Sequence, residues 1–296
     1  MDGFEIDEKL VRSLLHEQHP DLVELGLHQG TIGWSNQLWR LGDELAVRLP
    51  RRAHASPGLR NEQLWLPVLA PRLPLPVPTP FRIGEPSACF PWPWTVVTWV
   101  PGEPGDRAPI SHGHHTADIL AGFLRALHLN APTEAPANPI RSFPFRTFTH
   151  EFDRRVEAVA SRIAVTDVRA VWDEALSAPD WEGPPVWLHA DLHPANVVVS
   201  GGTISGVIDF GELCAGDPAT DLAAAWLILP EGAATRFFDA YENVDEAMIR
   251  RARGWAVHVG VGLIGIGQAW ERGLPGGQPT WGPVGRTALD RVLASS

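Results

Sequence analysis

Two segments constrain this chain more than any others: His189-Ala-Asp191-Leu-His-Pro-Ala-Asn196 and, twelve residues on, Ile208-Asp209-Phe-Gly211. Between them lie Val197 to Val199 and Ile204 to Ile208, two short β-branched runs on either side of Gly201-Gly202. Such runs separated by a glycine pair predict a β-hairpin, which folds the chain back and returns Asp209 to the side of Asn196. An amide and a carboxylate brought together offer oxygen ligands to a hard divalent cation. Asp191, five residues before Asn196, stands where it can accept the proton of an attacking hydroxyl. An acid, an Asn and a second acid in this order are the groups that phosphoryl transfer from Mg-ATP requires.

The N-terminal third predicts a partner for this apparatus. Apolar Leu10, Val11, Leu14 and Leu15 recur at helical spacing from Asp7 to His19, and Pro20 stops the helix. Leu22 to Leu27 reads as a strand. The turn Gly30-Thr31-Ile-Gly33-Trp-Ser35-Asn36 then leads to strands Gln37 to Leu41 and Leu45 to Leu49. A glycine-rich hairpin can cover phosphates with backbone N–H groups, so Gly30, Thr31, Gly33 and Ser35 are nucleotide-binding candidates. Arg48 lies on the strand after this loop, and Glu62 on a helix predicted from Pro57 to Leu69. A strand cation paired with a helix acid is the arrangement that orders nucleotide phosphates. The same two residues as a surface pair would contribute only ~0–1 kcal/mol. Strands follow at Phe81 to Gly84 and Trp94 to Val100. The chain leaves the second through Pro101-Gly102, which marks a hinge between two lobes and makes the backbone of Thr98, Trp99 and Val100 a candidate adenine partner.

Composition narrows the class. With 44% hydrophobic and 20% charged residues, 296 residues can build one large or two small globular domains. The apolar run Leu222 to Leu229 is too short to span a bilayer, and Trp255 to Ile266 carries His258 and several glycines, so neither predicts a membrane partner. The acidic N-terminus lacks a signal-peptide pattern, and Cys89 and Cys214 are too few for a disulfide framework, so a cytoplasmic location is expected. A net charge of −11 argues against nucleic acid. Pro71 to Pro80 and Pro132 to Pro144 read as ordered connectors, because apolar residues alternate through them.

The chain resembles the aminoglycoside phosphotransferase family of antibiotic kinases, within the protein-kinase-like fold. The likeness rests on Gly33-Trp-Ser-Asn36, Leu38-Trp-Arg-Leu-Gly42, Val47-Arg-Leu-Pro50, Glu62, the Pro74 to Pro80 run, Phe90-Pro-Trp-Pro-Trp94, the two segments quoted first, and Gly216-Asp-Pro-Ala-Thr-Asp-Leu222. It implies an α+β, two-lobed fold, with a small β-rich nucleotide-binding N-lobe over residues 1–100 and a mostly helical acceptor-binding C-lobe over 101–296. It implies ATP and Mg2+ as cofactors, with Asp191 catalytic, Asn196 and Asp209 on the metal, and His189, Asp217 and Asp221 supporting the loop. Two positions depart from the family pattern. Arg48 stands where the best-studied members carry Lys, and Ala190 where Gly is usual, though Ala is small enough not to block the loop. The expected activity is transfer of the γ-phosphate to a hydroxyl of a small molecule, an aminoglycoside-like antibiotic among the possibilities. Related kinases act on macrolides, sugars and amino alcohols, and a nucleotide-binding regulator without transferase activity is the alternative of another class.

Helices are expected at Ala219 to Leu229, Glu231 to Tyr241, Asp245 to Gln268 and Pro283 to Leu293. From Ile204 to Ile249 nine acids face one base, Arg236. Two readings of that asymmetry stand side by side: a cleft that selects a cationic acceptor, or a solvated acidic surface.

Overall fold

The structure, a computed structural model, describes residues 5–33, 36–142 and 144–295. The chain divides into two compact units: Met1–Pro101 together with Val207–Leu213, and Gly102–Gly206 together with Cys214–Ser296. The segment that carries Asp209 therefore packs with the N-terminal residues, although the chain on both sides of it belongs to the other unit.

The first unit is built on a five-stranded sheet. Its elements are α1 (Glu8–Gln18), β1 (Leu27–Ile32), β2 (Asn36–Leu41), β3 (Leu45–Pro50), α2 (Ser56–Leu69), β4 (Pro80–Gly84) and β5 (Trp94–Thr98), in the strand order β1-β2-β3-β5-β4. Asp7 caps α1 through a 2.7 Å bond from the Leu10 N–H, and Val11, Leu14 and Leu15 are buried. These join Leu27, Trp39, Leu41, Val47, Leu49, Trp94 and Val96 in one core. The strand expected at Leu22 to Leu27 begins only at Leu27. Leu27 pairs with Leu41, the last residue of β2, so the residues before it have no strand to bond to. Pro20–Leu22 forms a short 3-10 turn instead. The loop expected at Gly30 is also shorter. Gly30 and Thr31 lie within β1, at a shift in its register against β2 between Gln29 and Ile32.

The second unit is mostly helical. It comprises β6 (Glu103–Pro104), α3 (Gly113–Leu127), α4 (Thr149–Val159), α5 (Val165–Ser177), β7 (Val186–Leu188), β8 (Val197–Ser200), β9 (Thr203–Val207), β10 (Cys214–Gly216), α6 (Ala219–Leu222), α7 (Ala224–Leu227), α8 (Ala234–Tyr241), α9 (Glu246–Glu271) and α10 (Trp281–Ala294). Val207, the last residue of β9, already belongs to the first unit. α9 is the axis of the second unit, packed against α4, α5, α6, α7 and α10. Phe152 stacks on Trp172 with 3.9 Å between ring centroids, and Trp255 meets Phe145 and Phe148 edge-on or tilted. Among the described residues, six of the thirteen tryptophans (Trp39, Trp94, Trp172, Trp187, Trp226 and Trp255) are buried in packing of this kind and need no ligand to account for them. β8 and β9 form the expected hairpin, and Gly201 and Gly202 both take positive φ (58° and 76°), as a tight two-residue turn demands. The helix expected from Ala219 to Leu229 is broken into α6 and α7 at Ala223.

Candidate active site

Arg48 sits on β3, the middle strand of its sheet, and is only 6% exposed. Its Nη1 donates to both oxygens of Glu62 on α2, at 2.6 and 2.5 Å, and its Nη2 donates to Asp209 Oδ1 at 2.6 Å. Glu62 is 3% exposed, so this is a buried pair and not a surface one. The backbone N–H of Phe210 also donates to Glu62. Phe210 is fully buried, worth ~1.5–3 kcal/mol, and anchors the turn that presents Asp209. Gly58 lets this turn lie on α2: a Cβ there would stand 2.4 Å from the Gly211 carbonyl oxygen. Asp209 takes a left-handed conformation (φ 61°), and its side chain is half exposed.

One guanidinium thus serves two carboxylates. Burial pushes the Glu62 carboxyl up to about 7, and the neighbouring Asp209 charge adds to that rise, against the opposing pull of Arg48. With both carboxyls ionised the cluster carries one negative charge in excess, which a cation near the half-exposed Asp209 would offset.

The second unit holds the other acid. Asp191 is 30% exposed at the side chain. Asn196 Nδ2 donates to its carbonyl (2.9 Å) and to Oδ2 (3.1 Å), and Arg141 Nη2 donates to Oδ1 at 3.2 Å. Burial alone would raise this carboxyl. The hydrogen bond and charge of His193, joined by Arg141 and His189, hold it well below the usual carboxylate range. A carboxylate so held stays ionised and can accept a hydrogen bond from a hydroxyl. Because Asn196 Nδ2 is engaged by Asp191 and His193, its Oδ1 is the atom that could hold a cation.

Asp221, fully buried, supports the loop. It accepts from the N–H groups of His189 and Ala190, each at 2.7 Å, while His128 Nε2 lies 3.2 Å from Oδ2. Tyr241 Oη reaches His128 Nδ1 at 2.8 Å and completes a chain from α8 to the loop. The His189 and Ala190 N–H bonds to Asp221 hold the backbone with Ala190 at φ 68°, a conformation that favours glycine. His189 is fully buried, and its Nδ1 accepts from the Asp191 N–H at 3.3 Å. Asp217 accepts from the Ala219 N–H (3.0 Å) and from Arg251 Nε (2.7 Å).

Other candidates are placed differently. A Cβ on Gly30 would stand 2.9 Å from the Leu38 carbonyl oxygen, so close strand packing requires this glycine. The Gly33 N–H donates to the Asn36 carbonyl (2.9 Å) and its own carbonyl accepts from Arg51 (3.0 Å). Ser35 and the Thr31 side chain lie outside the described residues. At the expected hinge, the Thr98 N–H is spent on Thr79 and the Trp99 N–H on Glu44, at 2.9 and 2.7 Å. Neither is available to a base as the strand stands, and Trp99 is covered by the Arg40 guanidinium at 4.2 Å.

The acid excess from Ile204 to Ile249 is largely engaged within the protein. Asp209 meets Arg48, Asp217 meets Arg251, Asp221 holds the loop, Glu242 meets Arg125, Asp245 caps α9, and Glu246 meets Arg250. Six of the nine acids of this stretch therefore already have a partner within the protein. Arg141, His128 and Tyr241 were not legible as site residues in the sequence, since nothing local distinguishes them.

Comparison with known proteins bears on this geometry. Residues 27–255 match the model of the phosphotransferase enzyme family, APH. The homoserine kinase of Beijerinckia indica subsp. indica is 31% identical over 168 residues, 51% of this chain and 49% of that enzyme, so the likeness spans about half of the relative's length. Among solved structures, the GDP complex of aminoglycoside 2'-phosphotransferase-IIIa superposes with a TM-score of 0.70 at 19% identity, covering 98% of this chain and 99% of that one. The macrolide 2'-phosphotransferase of Brachybacterium faecium gives 0.60 at 20% identity, over 95% and 97%. The fold is accordingly the expected α+β, protein-kinase-like one. With most of its length matched by the family model, this chain belongs to the phosphotransferase enzyme family.

Proposed function

We propose that the protein transfers the γ-phosphate of ATP to a hydroxyl group of a small molecule. The observation that carries this reading is the division of labour between two acids. Asp209 shares Arg48 with Glu62 and is half exposed, which leaves it accessible to a metal ion. Asp191 is fixed on both oxygens and held in its charged form, as a group that orients a hydroxyl must be. Mg2+ supplies charge neutralisation at the phosphates when bound, and Asp209 with Asn196 Oδ1 would hold it, since that ion takes one or two protein oxygens and keeps its waters. Arg48 would bind the phosphates with Glu62 fixing its fork, and the backbone of Gly30 to Ser35 would cover them. At the hinge, Val100 is the residue whose backbone would serve adenine. Phosphoryl transfer asks the protein mainly for position and charge, which agrees with an acid too weakly basic to abstract a proton early.

The acceptor is a small alcohol. The relatives' names supply the panel: aminoglycosides, macrolides and homoserine, beside simple sugars and amino alcohols. A cytoplasmic location fits two cysteines that form no disulfide, and no helix among the described residues is long and apolar enough to cross a membrane. The test is ADP release from Mg-ATP against this panel and against cell extract, with each product read as the mass gain of one phosphate. Nucleotide binding without any phosphorylated product would favour the non-catalytic regulator.

A further inference from the structure

The Pro-rich stretch before α4 does more than connect. Asn138 builds a tight turn there. Its Oδ1 accepts from the Ile140 N–H at 2.9 Å, its carbonyl accepts from the N–H groups of Arg141 (3.2 Å) and Ser142 (2.9 Å), and its own N–H donates to Ser142 Oγ at 2.8 Å. Turns of this kind fix a backbone without a helix or a sheet. The turn is seated on β10: a Cβ on Gly216 would come within 3.5 Å of Ser142 Cα and 3.6 Å of the Arg141 carbonyl oxygen, and the Ala215 N–H donates to Pro136 at 3.0 Å. β10 pairs with β7, the strand that runs directly into His189. The backbone of Arg141 and the loop of Asp191 are therefore tied to the same two-stranded ladder. The side chain is equally confined: 12% exposed, with Cζ 5.7 Å from the Trp255 ring centroid and Nη2 on Asp191 Oδ1.

From this geometry the structure assigns to Arg141 the role of a positioning residue that fixes the plane and reach of the Asp191 carboxylate. The assignment rests on the reading that Asp191 orients the acceptor hydroxyl. A carboxylate turns easily about its last torsion, because that torsion has broad, shallow wells. One partner on each oxygen stops it: Asn196 on Oδ2 and Arg141 on Oδ1. Arg141 also acts in the opposite sense, since its charge weakens Asp191 as a base. In a loose transition state the proton moves late, so the loss of position outweighs the gain in basicity when Arg141 is removed. Misplacement of a reacting group by about 1 Å can cost ~10²-fold.

The experiment is a double-mutant cycle on the full chain, read as ADP release from Mg-ATP with water as acceptor and with every acceptor that the panel returns. R141M should lower kcat by about 10–100-fold while KM for ATP stays within twofold, and R141K should recover part of the loss. The double variant D191A/R141M should be no slower than D191A alone, because the arginine acts through the acid. Should R141M fail to fold, judged by circular dichroism, R141K takes its place in the cycle. A kcat for R141M within twofold of wild type, or losses that multiply in the double variant, would overturn the assignment. Full turnover by D191A itself would instead overturn the underlying reading of Asp191.

Discussion

The two acidic centres use the same chemistry to opposite ends. In the N-terminal unit, Glu62 and Asp209 compete for one guanidinium, and the buried acid is pushed up to about 7. In the helical unit, Asp191 is alone among His193, Arg141 and His189 and is held well below the usual range. Burial acts in the same direction on both. What differs is how many carboxylates share one arginine: two at Arg48 and one at Arg141. Under the proposed function the first centre would recruit the metal and the second would orient a neutral hydroxyl.

The comparison can be broken most decisively at Asp191. D191A should abolish transfer by about 10²–10⁴-fold while nucleotide binding, followed by calorimetry, survives. Retention of more than half the turnover would remove Asp191 from the centre of the argument. The next largest effect belongs to Arg48. R48M leaves two buried or half-buried acids without their cation and should cost about 3–5 kcal/mol in urea unfolding, whereas R48K should fold and raise the KM for ATP. A stable R48M protein would mean that Glu62 and Asp209 find compensation elsewhere.

A third test uses pH. A carboxyl raised in the folded state binds its proton more tightly there than in the unfolded chain. Its stabilising contribution is complete below about 4.5 and is lost as pH rises through about 7. Metal-free protein should therefore lose stability across that window, and E62Q should lose less. Asp191 works in the reverse sense: its contribution is present above the ordinary carboxylate range and disappears as pH falls. Parallel stability–pH curves for E62Q and wild type would erase the contrast drawn here. The smallest effect is expected at Ala190. A190G relieves the left-handed strain but loosens the unfolded chain, for a net gain of about 0.5–1 kcal/mol. Thermal melting at several pH values decides whether the loop was strained at all.

Much of this was legible in the sequence because it was local. The glycine hairpin, the Asp191-to-Asn196 spacing and the amphipathic α1 each follow from residues within a few positions of one another. Arg48 and Glu62 could be paired in advance because a strand and the helix after it leave few alternatives. What escaped was set by partners distant in the chain. β1 begins where β2 ends, a fact of register that the alternation from Leu22 onward does not carry. Arg141 meets Asp191 across fifty residues through a turn whose only local mark is Asn138 and Ser142. The acids of Ile204 to Ile249 looked like one surface in composition, yet most of them are engaged one by one by arginines, backbone groups or helix ends.

The packing of Val207–Leu213 with the N-terminal unit has a consequence for how such proteins can diversify. The chain passes from one unit to the other three times, near residues 101, 206 and 213. A contiguous cut at Pro101 would therefore deliver Arg48 and Glu62 without the Asp209 they are bonded to, and would leave Phe210 to find a new pocket. Recombination between relatives at that boundary would join a guanidinium from one parent to an acid from another. Viable chimeras should instead arise by exchanging Val207–Leu213 along with the first 101 residues, so that inheritance follows the ion cluster and not the order of the gene.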